Sequence, residues 1–324
     1  MINLVSAIAR ILAAVLFIAG NAAAQQSYPS KPIRMVVGFA PGGSADILAR
    51  TVGQKLGEAL GQQVVVDNRP GAGGNIAVEY VVRSAPDGYT VLLGTPGLSA
   101  NPSLYAKLSY DPIRDLAPVT MLGMFPNLMV VHPSVSANTV GEFIALARAR
   151  PGKLSFASAG TGSSGHLAAE LLKSMANIEM THVPYKGSVP ALNDVIGGQV
   201  DLYFDGVPSS APHVKAGRLK ALATTGLKRS PVLPEVPTMV EAGVPGYRAL
   251  TWNALFAPAG TSKDVIAKLN GTISQLLHGA DIRERFAAIG AEPTAMTPEQ
   301  LGTFLQEEMT KWSDVIRKAG IKLD

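Results

Sequence analysis

Residues 116–132 read "LAPVTMLGMFPNLMVVH". The run is apolar almost throughout, and Pro126 divides it. A membrane-spanning helix needs about 20 apolar residues, so this stretch is too short and too interrupted to be one. No helical pattern separates its two halves, although strands and helices alternate on either side of it. One strand leaving a first domain and entering a second would look like this. A return crossing is expected at Tyr247–Ala257. It follows a segment, 227–246, that holds Pro231, Pro234, Pro237 and Pro245 and a short helical piece around Met239–Ala242. Residues 25–124 plus 250–324 would then form a discontinuous first domain, with 125–249 inserted as the second. A mature chain of about 300 residues exceeds one typical core, which supports two domains.

The alternation itself argues an α/β fold with a mainly parallel sheet. Ile33–Phe39 reads as a strand. Ser44 can cap a helix whose apolar stripe is Leu48, Val52, Leu56 and Leu60. Strands at Val64–Asp67 and Thr90–Gly94 flank a helix at Asn75–Arg83. Beyond the long apolar run, Thr139 and Glu142 make a capping box for a helix ending near Pro151. Then come strand Leu154–Ser158, helix Gly165–Ala176, strand Met180–Tyr185, helix Val189–Ile196 and strands Val200–Asp205 and Leu219–Thr224. The tail holds helices at Ser262–Leu277 and Pro298–Ala319, the latter opened by a Thr297/Gln300 capping box.

Composition excludes several function classes. Arg10, the apolar run Ile11–Ala19 and the small residues Ala22–Ala24 spell a secretory signal peptide over 1–24. The chain has no cysteine, so it has no disulfide, no thiol nucleophile and no lipid-anchor site after the apolar run. Export without disulfides suits a periplasm. The net charge of +4 comes from scattered Lys and Arg, without clusters or interleaved aromatics. That is a solvated surface rather than a nucleic-acid face. His132, His166, His182, His213 and His278 show no metal spacing, and no nucleophile elbow or zincin motif occurs. A Ser164/His166 pair would need an orienting acid and a geometry that neighbours on one helix do not supply. No catalytic residue, metal site or cofactor is therefore assigned.

The loop in "SFASAGTGSSGHLAAELL" (155–172) needs a separate decision. Gly160, Gly162 and Gly165 spell GxGxxG, a dinucleotide fingerprint. Such a site needs an acid ending the next strand. Glu179 precedes that strand instead, and the residues after it, Pro184–Gly187, carry no carboxylate. The physics of the loop survives that rejection, because a helix N-terminus presents unpaired N–H groups to an anion. "MVVGFAPGGSADILAR" (35–50) offers the same strand, glycine loop and helix in the other half. Two such cradles facing each other across a cleft would suit a molecule with a carboxylate at one or both ends.

Seven segments carry a resemblance: "YPSKPIRMVVGFAPGGSADILAR", "VVVDNRPGAGGNIA", "DGYTVLLGT", "VVHPS", "SFASAGTGSSGHLAAELL", "VPYKG" and "GGQVDLYFDG". In this order they resemble the Bug family, the solute receptors of tripartite tricarboxylate transporters, over essentially the whole mature chain. The resemblance implies a two-domain periplasmic-binding-protein type II fold with a cleft between the domains. It implies a small carboxylate ligand (a di- or tricarboxylate, an aromatic acid such as nicotinate, or an acidic amino acid). It also implies delivery to the membrane components of such a transporter, by a soluble periplasmic protein that is expected to be a monomer. The family's gripping loops map onto Gly42, Gly43 and Ser44, and onto Thr161, Gly162, Ser163 and Ser164. Asp46, His166, Tyr185 and Asp205 complete the candidate ligand-binding set. Three of these have a structural alternative: Asp46 complements a helix dipole, His166 is neutral and braces its loop, and Asp205 caps a turn. A ligand-presenting sensor and an exported enzyme using the same anion loops are the competing functions.

Overall fold

The computed structural model describes residues 28–319; the signal-peptide reading of 1–24 lies outside them. Strand β1 (Ile33–Val37) lies between β2 (Val64–Asn68) and β3 (Thr90–Gly94), parallel to both. Nearly all of β1 is apolar because both its faces are covered, as parallel strands require. Ile33, Met35 and Val37 pack on helix α1 (Ser44–Leu60) and helix α8 (Lys263–His278). Val36 packs on the opposite side with α2 (Asn75–Val82). The expected stripe of α1 is buried at Leu48, Val52 and Leu56, and Gly61, at φ +66°, ends the helix in the left-handed region.

Residues 116–131 form one continuous strand, β4 (Leu116–Val131). Its first part pairs antiparallel with β9 (Leu250–Pro258), Leu116 opposite Pro258 and Pro126 opposite Leu250. From Asn127 onward its partners change to β7 (Leu202–Gly206) on one side and β8 (Lys220–Thr224) on the other. The sheet therefore runs β2-β1-β3-β9-β4-β7-β5-β6, with β5 (Ser155–Ser158) and β6 (Thr181–Pro184) beyond β7. The short β10 (Glu292–Pro293) pairs with β4 at Gly123 and Met124. The change of partners at Pro126/Asn127 divides the sheet into two halves.

The second half repeats the layering of the first. Phe156, Leu202 and Phe204 face helices α4 (Val140–Ala149) and α5 (Ser164–Ala176). Ala157 and Tyr203 face α6 (Ser188–Ile196) and α7 (Val207–Lys215). Both N-caps form: Glu142 N–H donates to Thr139 Oγ1 at 3.1 Å, and Gln300 N–H to Thr297 Oγ1 at 3.2 Å; the reciprocal bond closes the box at Thr297, while the Glu142 carboxylate accepts from Asn138 N–H instead. The last helix, α10 (Pro298–Ala319), ties the halves together. Leu301 and Leu305 pack with Trp252 and Phe256, while Trp312 and Ile316 join the cluster around Phe156.

Several readings need correction. "PGLSANPSL" is a helix, α3 (Pro96–Leu104), that the alternation of strands and helices did not indicate; it forms despite Pro102 because seven of its nine residues are buried. Helices α7 and α9 (Ala280–Ala288) were not anticipated. Met239–Ala242 is a hydrogen-bonded turn rather than a helix. Ser44 does not cap α1: Gly43 is the N-cap residue, and no side chain caps that end.

Candidate functional site

Five helices begin at one place between the sheet halves. A cavity of about 40 Å³ is lined by Phe39, Gly43, Ser44 and Ala45 from the β1–α1 connection, and by Thr95 before α3. Ala159, Ser163 and Ser164 line it from the β5–α5 loop, Ser188 from α6, and Tyr203, Asp205 and Gly206 from β7. Phe125 and Thr251, on the two crossing strands, close it. The N-cap or first residue of α1, α3, α5, α6 and α7 is on that wall. The Ser209 N–H in the first turn of α7 donates to Ser44 Oγ at 3.3 Å, but at none of these five N-termini does the N-cap residue's own side chain cap the helix. Their N–H groups and partial positive charges converge, and no Lys, Arg or His lines the space. Ser163 is 3 % exposed, and its Oγ has no hydrogen-bond partner among the described residues.

The two halves touch over this cavity. Ser209 Oγ donates to the Asp205 carboxylate, so Ser44 Oγ–H is the donor in the 2.7 Å bond between Ser44 and Ser209. Ala40 N–H donates to the Lys186 carbonyl at 3.2 Å. Gly73 lies against the Thr161 carbonyl, and Gly162 against the Asn101 amide. A side chain at either glycine would collide there, and both φ angles are positive (+61° and +84°).

Of the residues singled out in the sequence, Gly43, Ser44, Ser163, Ser164 and Asp205 line the cavity; Gly42, Asp46, Thr161, Gly162, His166 and Tyr185 do not. Asp46 faces inward and holds its own loop. Its carboxylate accepts from Gly42 N–H at 3.0 Å, Arg50 Nε at 2.9 Å and Asn68 Nδ2 at 2.9 Å. Burial alone would raise its pKa, but these donors outweigh burial and hold it below the usual carboxylate range. His166 Nδ1 accepts from Gly162 N–H at 3.2 Å, and its ring lies 4.2 Å from that of His182. Burial pushes His166 down to about 3 and His182 to about 4, so both are neutral at pH 7. The hydroxyl of Tyr185 donates to Asp194 at 2.5 Å. Thr161 meets the opposite half through its carbonyl rather than its hydroxyl.

Asp205 ends β7, 2 % exposed, and takes donors from Ser209, Ser188, Tyr203 and its neighbour's backbone at Gly206. Burial pushes its carboxyl up to about 6. Sequence reasoning missed Phe39, Phe125, Ser188, Tyr203 and Thr251 as cavity walls. Ser188 carried a usable signal, since it opens a helix after a glycine as Ser44 does. The others face the cavity only because of how distant strands align. Among the described residues, no group of three or more His, Cys, Asp or Glu could hold a metal ion.

A family model for the tripartite tricarboxylate transporter family receptor matches residues 48–321. The chain belongs to that family. It is 40 % identical to BugT of Bordetella pertussis over 92 % of each chain, which places it among the Bug proteins. Two solved structures share its fold. Rpa4515 of Rhodopseudomonas palustris, with adipate, is 41 % identical with a TM-score of 0.89, covering 91 % of this chain and all of that one. MatC from the same organism, with malate, is 35 % identical with a TM-score of 0.85, covering 89 % and 100 %. The fold of this family receptor is thus the two-domain α/β periplasmic-binding-protein fold, as the resemblance implied. No helix among its described residues is long and apolar enough to cross a membrane.

Proposed function

We propose that this receptor binds a small carboxylate in the cavity between its halves, closes over it, and delivers it to the membrane components of a tripartite tricarboxylate transporter. The observation that carries the reading is the meeting of five helix N-termini, none capped by its own N-cap side chain, on one cation-free space between the halves. Such termini hold anions through backbone N–H groups alone. Hydrogen bonds to a charged partner contribute about 1.5–3 kcal/mol each. Four to six of them give about 6–18 kcal/mol against an association cost of about 4–15 kcal/mol, a balance compatible with micromolar binding at its favourable end. The adipate and malate bound by two relatives support the ligand class.

Gly43, Ser44, Ser163, Ser164 and Asp205 would meet the ligand directly. Gly42, Asp46, Thr161, Gly162, His166 and Tyr185 would shape the loops that do. The domains would be 25–124 plus 250–324 and 125–249, moving about the crossing strands. A cavity of about 40 Å³ is small for a C4–C6 acid, so the acid would enter with the halves further apart. The working location is the periplasm, reached through the signal peptide.

Native mass spectrometry of the protein as purified, with identification of whatever is released, tests this. One small carboxylic acid per chain supports the reading and names a ligand. A bound nucleotide, or turnover of the bound acid by the pure protein, would replace it. Failure of a deletion strain to take up the identified acid separates transport from sensing.

A further inference from the structure

Asp205 is out of place in an anion site. It lies on the cavity wall, almost wholly shielded from solvent, and every donor it receives is neutral: the hydroxyls of Ser209, Ser188 and Tyr203 and the Gly206 backbone. The titratable groups on the elements packed around β7 are committed elsewhere or lie off the cavity wall. On α5, His166 serves Gly162 and Glu170 pairs with Lys173 at 2.7 Å. On α6, Asp194 takes the Tyr185 hydroxyl. On α1, which meets α7, Asp46 pairs with Arg50 at 2.9 Å, and Lys55 with Glu58 at 3.1 Å. His213 and Lys215 lie in the last turn of α7, away from its cavity end. Strands β4 and β5 carry no titratable side chain. On β7 itself only Tyr203 accompanies Asp205.

A ligand carboxylate entering this space would therefore meet a buried carboxylate with no cation on the wall. Two like charges in a low-dielectric site cannot both stay ionised without cost; one proton held between them removes the repulsion. We propose that the receptor takes up one proton with its acid ligand, shared between the ligand carboxylate and Asp205, so that Asp205 sets the pH range of binding. The step is a protonation only: a proton from solvent joins two carboxylates, and no other bond forms or breaks. This rests on the carboxylate reading above.

Because Asp205 is pushed up to about 6 by burial, it is largely protonated at pH 5, and uptake should vanish there. Above about pH 6.5, apparent affinity should fall up to tenfold per pH unit. The test begins with a thermal-shift screen at pH 6 against malate, the straight-chain C4–C8 dicarboxylates, nicotinate, aspartate and glutamate. Titration calorimetry of the tightest binder follows, at pH 7.5 in phosphate and in Tris and at pH 5 in piperazine and in MES, the two buffers of each pair differing in ionisation enthalpy. The expected result is about one proton taken up per ligand at pH 7.5 and none at pH 5. Affinity should weaken about 100-fold from pH 6.5 to 8.5 in the wild type, and by less than about threefold in Asp205→Asn. If no acid shifts the melting temperature, the carboxylate reading itself fails and this proposal falls with it. If an acid binds at pH 7.5 with no proton uptake, the carboxylate reading stands and this proposal is overturned. That would also be the result for an amino acid presenting its ammonium group to Asp205. Should Asp205→Asn fail to fold, the wild-type proton count decides alone.

Discussion

Two imidazoles stack beneath the loop that ends β5. His182 Nε2 shares a 2.6 Å hydrogen bond with Ser158 Oγ, which also accepts from Gly160 N–H at 3.1 Å; His166 serves Gly162. Both rings are held neutral by burial, at about 4 and about 3. The unfolded chain protonates near 6.5, so below that pH it binds more protons than the folded one. Stability contributed by the pair is complete above pH 6.5 and is lost progressively as the pH falls toward 4. Urea unfolding at pH 7, 6, 5 and 4 should show this decline, at up to about 1.4 kcal/mol per pH unit per histidine, and His166→Gln should flatten it. Ser163 gives the contrasting case. Its Oγ has no partner in the protein, so Ser163→Ala should leave the melting temperature nearly unchanged. It should weaken carboxylate binding about tenfold or more, the worth of one hydrogen bond to a charged group. Ser158→Ala should do the reverse and destabilise the fold by about 1–3 kcal/mol. The sequence showed that these loops carry the right residue types. It did not show that Ser163 faces inward while Asp46 is spent on Arg50 and Asn68, because side-chain direction depends on residues far along the chain.

At the scale of elements, the site consists of helix beginnings. All five contributing N-termini follow a strand that is paired in parallel, and the parallel strands of the two halves run toward each other, so the five helix starts meet where the halves face. Periodicity revealed α1, α5 and α6 because their apolar spacing is regular. It hid α3 and α7, in which Pro102 and Pro212 interrupt the pattern and burial supplies the stability. The loops between these elements meet so closely that glycine is required. Gly73→Ala would place a methyl group against the Thr161 carbonyl. This variant should keep its circular dichroism spectrum but bind carboxylate at least about tenfold more weakly, because the closed arrangement is the one it obstructs. Unchanged affinity would mean that the two loops need not meet to hold ligand.

Over the whole molecule, the proposed opening and closing would turn about the crossing strands. The crossing point is knitted by Asn127, whose N–H donates to Thr225 Oγ1 at 2.8 Å and whose Oδ1 accepts from Thr251 at 3.0 Å; Thr225 in turn donates to the Ala249 carbonyl at 2.6 Å. That β4 crosses was legible in 116–132, since no helix could fit there. That β7 and β8 flank it was not, because sheet neighbours are chosen by distant pairing. If the halves turn about this crossing, the far rims would part most; Ser44 and Ser209 join the halves beside it, next to Gly206 and Phe125. The chain has no cysteine of its own, so Ser44→Cys with Ser209→Cys creates a single possible crosslink. Their hydroxyls meet at 2.7 Å, so a disulfide, with an S–S bond of about 2.0 Å, would draw the two side chains closer than the serines stand. If acid enters only when the halves separate, the oxidised double variant should bind about 100-fold more slowly than the same protein reduced. The reduced form is the proper reference, because it carries whatever cost the two substitutions impose on the site. Binding that the ligand itself closes is a shift between two populated arrangements, so dithiothreitol should restore entry. An oxidised protein that binds as fast as the reduced one would mean that ligand reaches the cavity without parting the halves, and the hinge would lose its role in transport.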